Sequence, residues 1–169
     1  MSRQSRIRFA IAIAAIFAAI LVMMNVLQRD ESTPALPTDT ATPLPGSIAL
    51  YHNDGIVTFF TPSALQGLDD YSFEDAEQSN LQSGILLRDV ILLYVDAAEL
   101  SADTVITVSS STRDKSVTLI WEEVANPDNL VLFDIARSGT LKLVSSRVEN
   151  LDTRAEWIQD TDRIEIQTP

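Results

Sequence analysis

Apolar and polar positions divide the chain into three stretches. Phe9 to Leu27 carries no charge and one polar side chain, Asn25. At about 1.5 Å per residue, a helix of that length spans about 28 Å, close to the hydrocarbon thickness of a bilayer. Gln28 to Gly46 holds Pro34, Pro37, Pro43 and Pro45 among threonines and acids, a composition that stays extended and solvated. From Ser47 onward, short apolar runs alternate with turn residues, the pattern of a folded domain.

Within 47–169 the pattern predicts the elements. Ile48–Leu50 and Ile56–Phe60 flank Asp54-Gly55, a strong hairpin signal. Pro62 sits where a short helix over Ala64–Leu68 would start. Asp69–Ser83 is polar, with Tyr71 and Phe73 suited to an edge strand. Gly84–Asp96 reads as a helix capped by Ser83, with Leu86, Val90 and Leu93 in one row and Leu87, Ile91 and Tyr94 in the next. Thr104–Val108 is β-branched and reads as a strand buried on both faces. Arg113-Asp114-Lys115 makes a turn into the strand Ser116–Ile120, and Trp121–Ala125 a helical turn stopped by Asn126-Pro127. Leu130–Ala136 and Thr140–Ser145 are strands around Ser138-Gly139. Thr153–Trp157 suits a turn of helix, and Arg163–Gln167 alternates as a last strand. The expected class is α+β, with mixed β-sheets of about seven strands and two or three short helices, preceded by one transmembrane helix.

The flanks of the apolar run set the topology. Arg3, Arg6 and Arg8 form a basic head over 1–8, which predicts a cytoplasmic N-terminus and an extracytoplasmic domain. A cleaved signal peptide would have an apolar core of about 7–15 residues and a small-x-small site after it. Here Met23-Met24-Asn25-Val26-Leu27-Gln28-Arg29 offers no such site. The expected order is therefore head 1–8, single-pass signal anchor 9–27, linker 28–46 and domain 47–169, in the cell membrane. All 24 acidic residues and nine of the 12 basic ones follow the anchor. That balance argues against nucleic acid as a partner. The absence of cysteine excludes disulfides, thiolate metal sites and thiol nucleophiles.

With this order laid out, the domain resembles the oxidoreductase molybdopterin-binding family, a small sulfite-oxidase-type fold. Gly84–Val95 (GILLRDVILLYV) is similar to that family's Gly-apolar-x-Leu-Arg-Asp-x-Leu helix, and Ala102–Val108 to the Ala-Asp strand after it. Ser116–Val124 matches a strand running into a short acidic helix, Ser138–Val144 a small-Gly-x-Leu-x-Leu-Val segment, and Trp157–Ile166 the closing Trp…Arg-Ile-Glu-Ile. The resemblance implies a molybdopterin cofactor with a cysteine thiolate on molybdenum and basic groups on the pterin phosphate. This chain has no cysteine to offer as that ligand. In that reading Arg88, Arg113 and Lys115 would bind the pterin or its phosphate, and molybdopterin is implied by the resemblance alone.

Other candidates are weighed residue by residue. Arg88 on the expected helix suits a surface ion pair as readily as an anion site. Arg113 and Lys115 suit a solvated turn. His52 is the single histidine and has no second imidazole to share a metal with. Asp69, Asp70, Glu74, Asp75 and Glu77, like Asp152, Glu156, Asp160 and Asp162, lack the order of a calcium loop and read as solvated faces. Trp121 and Trp157 are expected in the core. No serine sits in a Gly-x-Ser-x-Gly elbow. Three functions follow: a non-catalytic binding or accessory module with a protein partner in the cell envelope, a cofactor-binding subunit of a molybdopterin-dependent oxidoreductase complex, or a structural envelope protein.

Overall fold

Asn53 and Asp54 adopt φ of 48° and 65°, the paired positive values of a type I′ turn, and close strand β1 (Ile48–His52) onto β2 (Gly55–Phe60). The computed structural model describes residues 44–169. The expected head, anchor and nearly all of the linker lie outside the described residues. Among the described residues, no helix is long and apolar enough to cross a membrane.

The remaining elements are β3 (Asp70–Asp75), β4 (Asn80–Leu86), α1 (Leu87–Leu92), β5 (Val105–Ser110), β6 (Lys115–Ile120), α2 (Trp121–Ala125), β7 (Leu132–Ile135), β8 (Leu141–Val144), β9 (Ile158–Thr161) and β10 (Arg163–Gln167). They form two five-stranded sheets, ordered β2-β1-β10-β5-β6 and β3-β4-β7-β8-β9. β1 and β10 pair in parallel, and the other strand pairs are antiparallel.

Register explains the core. In the first sheet Leu50 lies beside Ile164, Ile164 beside Val108, and Val108 beside Val117, so one face carries every large buried side chain. In the second sheet Ile85, Phe133 and Leu143 make a buried row on one face and Leu86, Leu132 and Val144 a buried row on the other. All these rows belong to a single buried cluster. The sheets also join at a corner, because Asp162 alone separates β9 from β10. Asp160 at that corner has φ 54°. Its carbonyl accepts the Ser110 hydroxyl at 2.9 Å, and the Asp162 amide donates to Ser109 at 3.1 Å.

The α+β expectation is overturned. The domain is mostly β, and its two α-helices are six and five residues long. The error lies in Gly84–Asp96. Gly84 pairs with Tyr71, Ile85 with Asp70 and Phe133, and Leu86 with Leu132, so the first three residues of the expected helix belong to a strand with neighbours on both sides. A short apolar run buried on both faces has no period that separates strand from helix. Ser83 is mid-strand opposite Ser72 and caps nothing, and the N-cap position is Leu86. Gly84 allows the close approach of β4 to β7: an added Cβ would sit 2.6 Å from the Phe133 carbonyl carbon and 2.9 Å from the Asp134 nitrogen.

Smaller corrections follow the same logic. β5 is not buried on both faces: Ile106, Val108 and Ser110 are buried, while Val105, Thr107 and Ser109 alternate outward. The short helix expected over Ala64–Leu68 is a 3₁₀ turn over Pro62–Leu65. Thr153–Trp157 closes one turn, Glu156 donating to the Thr153 carbonyl at 3.0 Å, without becoming helix. The β1–β2 hairpin, the edge position of β3, the helical turn α2 and the last strand stand as expected.

Candidate functional site

The three cations singled out for phosphate do not converge. Arg88, in the first turn of α1, donates through Nε to Asp89 at 2.9 Å and through Nη1 to the Ala125 carbonyl at 3.2 Å. Ala125 ends the helix that follows β6, whereas Lys115 opens that strand. A strand of six residues puts roughly 17 Å between its two ends. Arg113 lies in the turn before β6, beside Lys115. Arg88 and the other pair therefore face different ends of the first sheet's edge.

Each cation is also occupied. Arg113 binds Asp160 through Nε and Nη2, both at 2.7 Å. Thr140 donates to the other oxygen of that carboxylate at 2.9 Å. Arg113 and Thr140 hold the Asp160 carboxyl below its ordinary range. Asp160 thus ties the β5–β6 turn of one sheet to the strand entry of β8 in the other. Lys115 donates to the carbonyls of Ala155 and Trp157, the latter at 3.0 Å. Lys115 also lines a hollow of about 270 Å³ with Arg163, Asp114 and Asp162, where two carboxylates match two cations. These residues do not fit a phosphate site, and with no cysteine in the chain they do not fit a thiolate-bound molybdenum.

The densest polar cluster lies elsewhere. Phe73, Asp75, Gln82, Asp134 and Lys142 share one face of the second sheet by register, the face that also carries the buried Leu86, Leu132 and Val144. Trp157, 4% exposed, closes over them, donating through Nε1 to the carbonyls of Ser145 and Leu151 at 3.1 Å each. Its ring meets Phe73 edge-on at 6.4 Å. Lys142 Nζ stands 5.2 Å and the Arg154 guanidinium 5.0 Å from the ring centre. Lys142 binds Asp134 at 2.6 Å and Gln82 at 2.9 Å, and Arg154 binds Asp75 at 2.7 Å. Burial alone would raise the Asp75 carboxyl, but Arg154 and the Glu77 amide outweigh it and hold it low. Every charge in the cluster has a partner, so it acts as a fastener for the 145–157 loop. Trp157 was legible as a core residue in the sequence; its cationic neighbours were not, because strand pairing brings them in.

The remaining candidates are dispersed. His52 Nδ1 stands 3.3 Å from Glu99, and Nε2 is buried without a partner. Asp162 accepts the amide and hydroxyl of Ser111. Asp152 is raised by its hydrogen bond with Glu156, and Glu156 is held low by Thr153. Among the described residues, no three His, Asp or Glu side chains are placed to hold a metal ion.

Sequence reasoning missed one surface. A groove of about 380 Å³ runs between Leu68 and Tyr71 on one side and Leu92 and Leu93 on the other, with Arg88 and Asp89 also lining it. Leu92 and Leu93 are 41% and 48% exposed, although Leu93 belongs to an apolar row of the expected longer helix. No family model matches the chain, and no curated protein matches it.

Proposed function

We propose that the chain is a membrane-anchored extracytoplasmic binding or accessory module, with the motif order of a molybdopterin-oxidoreductase domain but no catalysis of its own. One observation carries this reading: Arg88, Arg113 and Lys115 are each engaged by the chain's own carboxylates and carbonyls, at separate places. A cofactor phosphate would have to break these bonds. The apolar run at 9–27 and the basic residues before it support the anchoring.

Metal and pterin analysis of the full chain, made in a host that synthesises molybdopterin, tests the reading. Metal-free protein without pterin fluorescence after acid release is expected, and stoichiometric molybdenum overturns it. Protease added outside sealed cells should cleave the domain from its anchor; protection of the domain would overturn the topology.

A further inference from the structure

We propose that the outer edge of β3 accepts an extended, lysine- or arginine-bearing segment of a partner protein as an added strand, with one apolar side chain of that segment seated in the groove beside α1. The proposal rests on the binding-module reading and gives that module its docking site.

β3 is the terminal strand of the second sheet and pairs with β4 alone along Asp70–Asp75. Among the described residues no strand lies on its other side. A terminal strand presents a row of backbone donors and acceptors to any extended chain. The Leu68–Tyr71 and Leu92–Leu93 groove adjoins the start of this edge. Leu68, Tyr71, Leu92 and Leu93 can flank one apolar anchor side chain there, the usual complement of strand addition, while the Arg88 that also lines it is held by Asp89 and the Ala125 carbonyl.

Charge selects the occupant. Asp69, Asp70 and Glu74 are exposed, and none makes an ion pair among the described residues. No basic residue occurs from Thr61 to Leu87. A second copy is a poor fit, because antiparallel self-pairing of β3 would set Asp70 opposite Asp75 and Tyr71 opposite Glu74. The chain's own linker is a poor fit as well, since it is acidic and its four prolines cannot donate to a ladder. A basic extended segment meets both the backbone row and the carboxylates.

The test uses the full chain in detergent micelles and the peptide Lys-Val-Lys-Leu-Lys-Val-Lys. Amide hydrogen exchange across 70–74 should slow about tenfold at a peptide concentration about ten times its Kd. The same peptide with alternate amides N-methylated keeps its charge and loses its ladder, and should give no protection. Asp70→Asn with Glu74→Gln should weaken binding about fivefold. Glu122→Gln with Glu149→Gln, which removes as much charge at other exposed sites, should change it less than about twofold. Equal protection by the N-methylated peptide, protection on β2 or β6 instead, or none at all overturns the docking site. Metal analysis of the same preparation separates the two claims. Stoichiometric molybdenum defeats the module reading, whereas metal-free protein with an unprotected β3 defeats the docking site alone.

Discussion

The outward face of the first sheet meets water through a row of short polar side chains: Thr107 hydrogen-bonds Thr118 across β5 and β6, and Arg163 stacks 4.2 Å from the Tyr51 ring. One face of the second sheet carries Asp75, Gln82, Asp134 and Lys142, and there Asp75 and Gln82 are buried under the loop that ends in Trp157. The first sheet alternates apolar and polar positions, whereas the second is buried on both faces at Ile85 and Leu86 and alternates only toward its ends. On the first, the polar row is a solvent face. On the second, it is a set of fixed ion pairs beneath an aromatic lid. A polar residue in a strand thus reports a face, and its burial depends on whether a distant loop comes to cover it.

Substitutions should separate the two faces. Trp157→Ala removes the lid and both cation contacts, and should lower unfolding stability by about 3–5 kcal/mol in urea titration. Gly84→Ala forces a methyl into the Phe133 backbone and should cost about 3 kcal/mol by the same measurement. Asp160→Ala releases Arg113 and Thr140 at the corner between the sheets, and should cost about 1–2 kcal/mol.

Acid should act next. Asp75 and Asp160 have lowered folded-state values, so each contributes stability that is present above the ordinary carboxylate range and lost as pH falls through the folded value. The Tm of the native chain should therefore fall steeply below about pH 4, and Asp75→Asn should flatten that fall. An unchanged acid profile in the variant would assign the loss to other carboxylates. The smallest effect belongs to the first sheet: Thr118→Val should change stability by no more than about 0.5 kcal/mol. A larger loss there would mean that its outward face is not simply solvated.

Local features were legible in the sequence. Asp54-Gly55 announced the first hairpin, Tyr71 and Phe73 the edge strand, and the alternation of Arg163–Gln167 the last strand. Gly84–Leu86 was not legible, because three consecutive buried positions satisfy a central strand as well as a helix. The candidate site divides in the same way. Arg113 was placed correctly in a turn, whereas Lys115 opens β6, and Asp160, which engages Arg113, comes 47 positions later. Asp75 finds Arg154 79 positions away. Such partners are set by sheet order, and no local spacing encodes them.

The parallel pairing of β1 with β10 has a consequence for synthesis. β10 is the middle strand of the first sheet and the last to be made, and Asn53 waits 115 residues for its partner Thr168. At about 5–20 residues per second, that delay is roughly 6–23 s. From the completion of β6 until then, the β1–β2 and β5–β6 hairpins lack the strand that joins them, which leaves each an unpaired inner edge. The nascent chain is then most exposed to wrong strand partners, and a chaperone that shields Ile48, Leu50, Ile106 and Val108 before β10 is made would raise its yield more than one acting afterwards.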